Sequence, residues 1–405
     1  MEFDVSTTIK LASYIGAGCC IGFGAVGAAL GEGYTGGQAN QALSLKPDQG
    51  RDIVKSMLMG QAIAESAGIF ALVIAILLIF MDSTSNSMLT AAALLGAGLS
   101  MGLGAIGSGI GSGFPAGGAC LGIARKPDIA NRLTTNMLVG SAVCQTPAIF
   151  AMVIALILMF MDFGQSPLSP TWATLVGAGL CMGLGAIGSG IGCGFPAGES
   201  SIGIARQPAM SGRLTTNMLI GSAVCQTPSI LAMVVALMLI FLNFEHLPLS
   251  TAWAALLGAG LSTGLAAIGS GYGGGFAAGA GCDSIARQPE SFGQVTTTML
   301  VGQAVSQTPS IFGLLISFIL MFKGGPETTA LSASMALLGA GISMGFGGIG
   351  PGIGNGIVAE GAVKWVARNM ESAAALTRTM LVGQAVSQST AIYAMVISLV
   401  LLFVV

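Results

Sequence analysis

Charge is what this sequence has least of. Its 405 residues include 14 Lys or Arg, 16 Asp or Glu and a single His. At 7% charged residues, against about 25% in soluble domains, the chain cannot clothe a large water-facing surface. The net charge of −2 supplies no basic face for nucleic acid. No GxxxxGK[ST] loop is present, so nucleotide hydrolysis is not assigned to this chain. The eight cysteines (Cys19, Cys20, Cys120, Cys144, Cys181, Cys193, Cys225 and Cys282) show no CxxC spacing. They read as small packing residues, which argues against a disulfide framework or a metal site. The opening "MEFDVSTTIK" lacks a basic region followed by a short apolar stretch and a cleavage site. No cleavable signal segment is therefore expected.

Long apolar runs take the place of charge. "LMGQAIAESAGIFALVIAILLIF" (58–80) holds one carboxylate and is long enough to cross about 30 Å of hydrocarbon as a helix. Comparable runs follow end to end, and they predict a polytopic membrane protein.

The sequence repeats five times. Glu65 aligns with Gln145, Gln226, Gln307 and Gln388 in the frames "GQAIAES", "GSAVCQT", "GSAVCQT", "GQAVSQT" and "GQAVSQS". A second column holds Glu32, Ser112, Cys193, Gly274 and Asn355, each 33 residues before its partner in the first. Every unit reads as a glycine-rich helix, a polar loop and a helix rich in Leu, Ile, Met and Val. The expected fold is therefore an all-α membrane protein of five tandem transmembrane helical hairpins, ten helices in all. Hairpin divisions fall at 1–83, 84–164, 165–245, 246–326 and 327–405. Glycines spaced like Gly107 and Gly111 let helix backbones approach closely. With that face on every first helix, a tight inner layer and a lipid-facing outer layer follow, as a ring or a ring sector. Lys and Arg concentrate in the five hairpin loops, which predicts cytoplasmic loops and extracytoplasmic termini. Trp172 and Trp253 near helix starts are candidate interface anchors.

A carboxylate at mid-membrane is costly and marks a candidate transport site. Glu65 has Ser66 beside it and Gln61 one turn earlier, and Glu32 is expected at matching depth on the preceding helix. Two neighbouring carboxylates there do not both ionise without a cation. Oxygens of Glu32, Glu65, Ser66 and a backbone carbonyl suit a hard cation such as Na⁺; a proton alone is the alternative, and a proton-shared pair holding helices together is the structural one. The other four units carry Ser112/Gln145, Cys193/Gln226, Gly274/Gln307 and Asn355/Gln388, which exchange no proton near neutral pH. Pro147, Pro228 and Pro309 follow the middle three sites by two residues and are expected to bend those helices. Glu199, Asp283 and Glu360, toward the loops, are assigned mainly structural or headgroup-level roles, with a Glu360–Lys364 helix-face pair. His246 is expected to be solvent-exposed.

"GEGYTGGQANQA", "ARQPE" and "GQAIAESAGIFALVIAILLIF" together resemble the rotor-ring proteolipid, or c-type subunit, of rotary ATP synthases, closest to sodium-binding rings. The resemblance covers nearly the whole chain five times over. It implies a non-catalytic subunit whose Glu65, Ser66 and Glu32 hold Na⁺, or H⁺ instead, with the Ile63 carbonyl as a further ligand. It also implies that the loops touch a central stalk. The matching positions are Arg206–Gln207–Pro208 and Arg287–Gln288–Pro289, with Arg125–Lys126–Pro127, Lys46–Pro47 and Arg368–Asn369 as the variants. Implied partners are copies of the chain, single-hairpin c subunits in the same ring, a stator a subunit and membrane lipids, in a bacterial inner membrane. The departure from the family pattern is the loss of four of five carboxylates. A ring-shaped scaffold or pore without rotation is the competing reading.

Overall fold

The computed structural model describes every residue except 1–3, 82–86, 164, 165, 245, 324, 327, 329, 404 and 405. The described residues form eleven α-helices: α1 (Val5–Leu45), α2 (Gly50–Phe80), α3 (Met88–Arg125), α4 (Ala130–Phe160), α5 (Leu168–Arg206), α6 (Ser211–Phe241), α7 (Leu249–Arg287), α8 (Phe292–Ser306), α9 (Thr308–Lys323), α10 (Leu331–Arg368) and α11 (Ala373–Phe403). Helices α8 and α9 are two halves of one span, so ten segments are long and apolar enough to cross a membrane. This is a multi-pass membrane protein.

Each hairpin turns through a three-residue 3₁₀ helix, beginning at Pro47, Pro127, Pro208, Pro289 and Met370. Proline suits the first position because its missing N–H has no partner to lose there. The fifth turn has Met370 instead, and there the Asn369 side chain accepts from the Ser372 N–H at 3.3 Å. The cap compensates for the absent proline.

The first helices pack consecutively, α1 on α3, α3 on α5, α5 on α7 and α7 on α10. Each second helix lies on its own first helix and, in the first four hairpins, on the first helix of the next. Two layers result, as the glycine distribution predicts. At Gly27, Gly107, Gly188 and Gly269, an added Cβ would collide with the backbone of Ile106, Ile187, Ile268 and Ile349 in the next hairpin. Only glycine permits that approach. Glycine-rich helices survive here because lipid offers the backbone no competing hydrogen bonds.

A hydroxyl or thiol ties the layers within each hairpin. Ser100, Ser262 and Ser343 donate to the carbonyls of Ala151, Gly313 and Ala394 at 2.9, 3.0 and 3.2 Å. Cys20 and Cys181 occupy the same column and donate to Ala71 and Ala232 at 3.2 and 3.4 Å. All eight cysteines are free. At least these two are donors as well as packing residues, a role their spacing in the sequence carries and their chemistry alone does not. Trp172 and Trp253, at the starts of α5 and α7, stack on each other with ring centres 6.0 Å apart. His246 is exposed in a turn.

The inner layer sets a direct test. Gly188→Leu drives a side chain into the Ile268 backbone and is expected to cost about 3 kcal/mol, at the upper end of overpacking penalties. The measurement is the midpoint of SDS-induced unfolding in mixed micelles. An unchanged midpoint would show that the layer does not depend on this approach.

Candidate ion-binding site

Glu65 sits midway along α2, 15 residues from either end, which is about 22 Å of helix on each side at 1.5 Å per residue. Glu65 and Glu32 line one open cavity of about 280 Å³ on the first hairpin, with Ala25, Ala28, Gly68 and Ile69. Glu32 is partly buried and Glu65 exposed. Gln61 Nε2 donates to the Glu32 carbonyl at 3.1 Å and so ties α2 to the backbone beneath the second carboxylate. Ser66 Oγ donates to the Ala62 carbonyl of its own helix at 3.2 Å. Of the five expected residues, Glu32 and Glu65 therefore share the cavity, Gln61 is tied to the backbone of Glu32, and Ser66 is bonded to its own helix.

Ile63 does not join them. Two residues along an α-helix turn through about 200°, so the Ile63 carbonyl and the Glu65 side chain lie on nearly opposite faces of α2. The carbonyl accepts from Gln145 Nε2 of the second hairpin at 3.0 Å. It serves the next hairpin's site rather than its own.

The same relation repeats along the chain. Gln145 Nε2 also donates to Ser112 Oγ at 2.8 Å. Gln226 donates to the Val143 carbonyl at 3.2 Å, and Gln307 to the Val224 carbonyl at 2.8 Å. In the fifth hairpin Asn355 takes over. Its Nδ2 donates to the Val305 carbonyl at 3.3 Å and to Gln388 Oε1 at 2.6 Å. Gly274 offers no side chain, while Cys193 Sγ donates to the Ser222 carbonyl at 3.4 Å. Each interface thus holds a neutral amide against a carbonyl of the preceding hairpin.

Those carbonyls explain the prolines. Val143, Val224 and Val305 lie four residues before Pro147, Pro228 and Pro309, which have no N–H to return to them. The neighbouring amide supplies the missing donor. The adjacent N–H groups of Ala148, Ser229 and Ser310 donate to Ser108, Ser189 and Ser270 Oγ at 3.1, 3.2 and 3.2 Å. Helices α4 and α6 run unbroken through Pro147 and Pro228, and only Gln307 before Pro309 leaves helical assignment. Interruption is confined to one of three, and at all three sites neighbouring side chains re-satisfy the freed groups. The valine carbonyls and these serines escape sequence inspection, although the constant 40-residue interval from Ser108, Ser189 and Ser270 to the N–H donors was a usable signal.

The remaining charges gather at the loop ends of the inner helices. Asp283 pairs with Arg206 at 2.7 Å and with Arg287 at 2.8 Å, while Lys364 pairs with Glu360 one turn away on α10. Glu199 and Arg125 line the same cavity of about 460 Å³. A 39-residue helix such as α7 is about 58 Å long at 1.5 Å per residue, nearly twice the hydrocarbon thickness. The ends bearing these charges extend beyond the apolar layer. Of the loop residues, Lys46, Gln207, Gln288 and Asn369 occupy the position just before each 3₁₀ turn, as does Lys126. Among the described residues no group of three or more His, Cys, Asp or Glu forms a metal-binding cluster.

Comparison with known proteins gives the fold its family. A model of the ATP synthase C subunit matches five times, at residues 15–78, 95–158, 176–239, 257–320 and 338–401. The chain belongs to the ATP synthase C-subunit family. Over 202 residues, 49% of this chain and 82% of the relative, it is 36% identical to the K subunit of the A-type ATP synthase of Methanocaldococcus jannaschii. A stretch of 69 residues is 48% identical to the ATP synthase c subunit of Natranaerobius thermophilus, covering 17% of this chain and 79% of that one. The corresponding protein of Petrotoga mobilis is 44% identical over 85 residues, 21% of this chain and 88% of its own length. A c-type rotor subunit is thus present here as five fused copies of the family's hairpin.

The amide network is open to a double-mutant test. Gln226→Leu leaves the Val143 carbonyl without its donor and is expected to cost about 1 kcal/mol, within the range for interhelical hydrogen bonds in membranes. Pro147→Ala restores a backbone N–H to the same carbonyl, so in that background Gln226→Leu should cost distinctly less. Equal costs in the two backgrounds, by unfolding titration, would remove the link between proline and amide.

Proposed function

We propose that this chain is a sector of the rotor ring in the membrane part of a rotary ATP synthase, carrying one exchangeable cation at the Glu32/Glu65 pair of hairpin 1. The observation that carries the reading is the shared cavity of Glu32 and Glu65, set against four equivalent positions that hold neutral amides. A carboxylate inside a membrane calls for a partner or a proton. The pair, with the Ser66 hydroxyl nearby, offers the oxygen ligands that a hard cation takes. Na⁺ is the cargo the donor set favours, and H⁺ is the alternative.

In this reading the protein performs no covalent chemistry. Glu65 loads a cation, is carried past a stator a subunit, unloads and is reloaded, and the ring's rotation passes to a central stalk. Gln145, Gln226, Gln307 and Gln388 cannot exchange a proton near neutral pH and travel as silent positions. The loop residues Arg206–Gln207–Pro208 and Arg287–Gln288–Pro289, with Arg125–Lys126–Pro127, Lys46–Pro47 and Arg368–Asn369, form the stalk-facing surface on the cytoplasmic side. Lys and Arg concentrated there agree with the positive-inside bias, which leaves the termini outside a bacterial inner membrane. Single-hairpin c subunits, where the cell makes them, would share the ring and raise its number of ions per turn.

Dicyclohexylcarbodiimide, which reacts with protonated carboxyls in membranes, tests the site in the purified native assembly. Modification mapped by mass spectrometry is expected at Glu65, and NaCl should suppress it across a pH series. Suppression by raised pH but not by Na⁺ would assign a proton as cargo. No modification of Glu65 under any condition would sink the ion-site reading in favour of a non-rotary ring scaffold.

A further inference from the structure

Position 274 breaks the column to which it belongs. Hairpins 1, 2, 3 and 5 carry Glu32, Ser112, Cys193 and Asn355 there, and hairpin 4 carries glycine. Close packing does not demand it. Gly273 and Gly275 on either side lie against the backbones of Gly352 and Gly192, but a Cβ added at Gly274 meets nothing nearer than 3.5 Å. A side chain fits, and the inner layer leaves its place open. Cys225 Sγ lies 3.5 Å and Gln303 Nε2 3.8 Å from the position of that Cβ. A missing hydroxymethyl group leaves room for one water, whose share of liquid volume is about 30 Å³.

Unmet hydrogen-bonding capacity converges on the same spot. In hairpin 2 the Gln145 amide donates twice, to the Ile63 carbonyl at 3.0 Å and to the Ser112 hydroxyl at 2.8 Å. In hairpin 3 Gln226 reaches the Cys193 thiol, and in hairpin 5 Gln388 accepts from Asn355. Gln307 makes the carbonyl bond alone, to Val224 at 2.8 Å, because Gly274 has no side chain to meet its other N–H. Gln303 is fully buried and directs its N–H groups to the carbonyls of Gly221 and Gly274 at 2.9 and 3.1 Å. Its Oε1 has no partner among the described residues. A bare acceptor and a spare donor thus flank one gap.

The backbone opposite the gap is broken as well. Pro147, Pro228 and Pro309 occupy one position in their hairpins, yet of those three helices only the one facing Gly274 is interrupted, at Gln307. Non-helical backbone at membrane depth is tolerated where it is buried in protein or lines a water-filled cavity. We propose that a single water molecule occupies the gap at Gly274, in the place that the Ser112 hydroxyl holds in hairpin 2, donating to Gln303 Oε1 and accepting from the second N–H of Gln307 Nε2. The Cys225 thiol completes its surroundings, matching the three or so contacts that a buried water makes. The occupant is neutral. Gln307 presents a positive hydrogen to the gap, and Gln303, Gln307 and Cys225 supply no negative charge to balance a cation inside the membrane. Hairpin 4 therefore differs from the other silent positions, since solvent rather than a side chain completes the polar contacts at its joint. None of this depends on what Glu32 and Glu65 carry.

A high-resolution electron cryomicroscopy map of the purified native assembly tests the assignment. In a map that resolves ordered water elsewhere in the protein, a peak is expected at about 3 Å, hydrogen-bonding distance, from both Gln303 Oε1 and Gln307 Nε2. The peak should remain when choline replaces Na⁺ throughout. Gly274→Ser supplies a hydroxyl of its own and should abolish the peak while helical circular dichroism stays unchanged. An empty gap in the wild-type map would overturn the proposal without recourse to any variant. So would a peak that disappears with Na⁺, which would make the occupant a cation, or one that persists beside the new serine hydroxyl.

Discussion

Backbone-to-backbone contact between glycine-faced helices is the constraint on which the rest of this molecule depends. Where an added Cβ would strike the next helix, no other residue holds the same spacing, and the relative height of two inner helices is fixed by the contact itself. Small residues do this in membranes because packing, not the hydrophobic effect, drives helix association there. Once the inner row is in register, the outer helices follow. Each is tied to its own inner helix by the Ser or Cys donor column and, in the first four hairpins, nests against the next. The five site positions then fall at one depth without any further determinant.

Amide and carboxylate solve the same local problem in different ways. A carbonyl of the preceding hairpin faces each internal site, and in three cases out of four a proline downstream has removed its helical donor. A glutamine or asparagine supplies an N–H to that carbonyl permanently, so the carbonyl is satisfied without a ligand. A carboxylate has no N–H to give. Beside a carbonyl it leaves acceptors facing acceptors, which only a proton or a cation relieves. On the reading proposed above, the internal joints hold without an ion and the Glu65 position alone would require an exchangeable partner. Retaining a single carboxylate at the edge of the row would keep the four joints inside the chain independent of ion occupancy.

Much of this was legible in the sequence, because it lies in periodicity. The 80- and 81-residue intervals and the glycine columns announce five hairpins and two layers, and Glu32 and Glu65 are conspicuous in an uncharged stretch. What stayed hidden belongs to the backbone. The direction of a carbonyl leaves no trace in residue identity, so Ile63 is readily assigned to the carboxylate two positions away. The helix turns that carbonyl toward the neighbouring hairpin instead. The survival of α4 and α6 through their prolines was hidden for the same reason, since the compensating donors Gln226 and Gln307 sit about eighty residues downstream. Cys20 and Cys181 show the opposite case. As a residue type cysteine suggests only packing, while its column, shared with three serines, identifies a donor.

Silent positions change the energetics of a rotor more than its architecture. Each charge crossing the membrane contributes about 2.3 kcal/mol per 100 mV, so the work available per turn scales with the number of live sites, not with the number of hairpins. On the reading proposed above, a ring of such chains would move one ion for every five hairpins that pass. Each ion then bears a larger share of the energy exchanged per turn. That ratio is poor for driving synthesis from a modest gradient and suits pumping against a steep one. Sharing the ring with single-hairpin relatives would shift the ratio back toward synthesis without altering a single contact inside this chain, because the glycine register is indifferent to which side chain occupies the site.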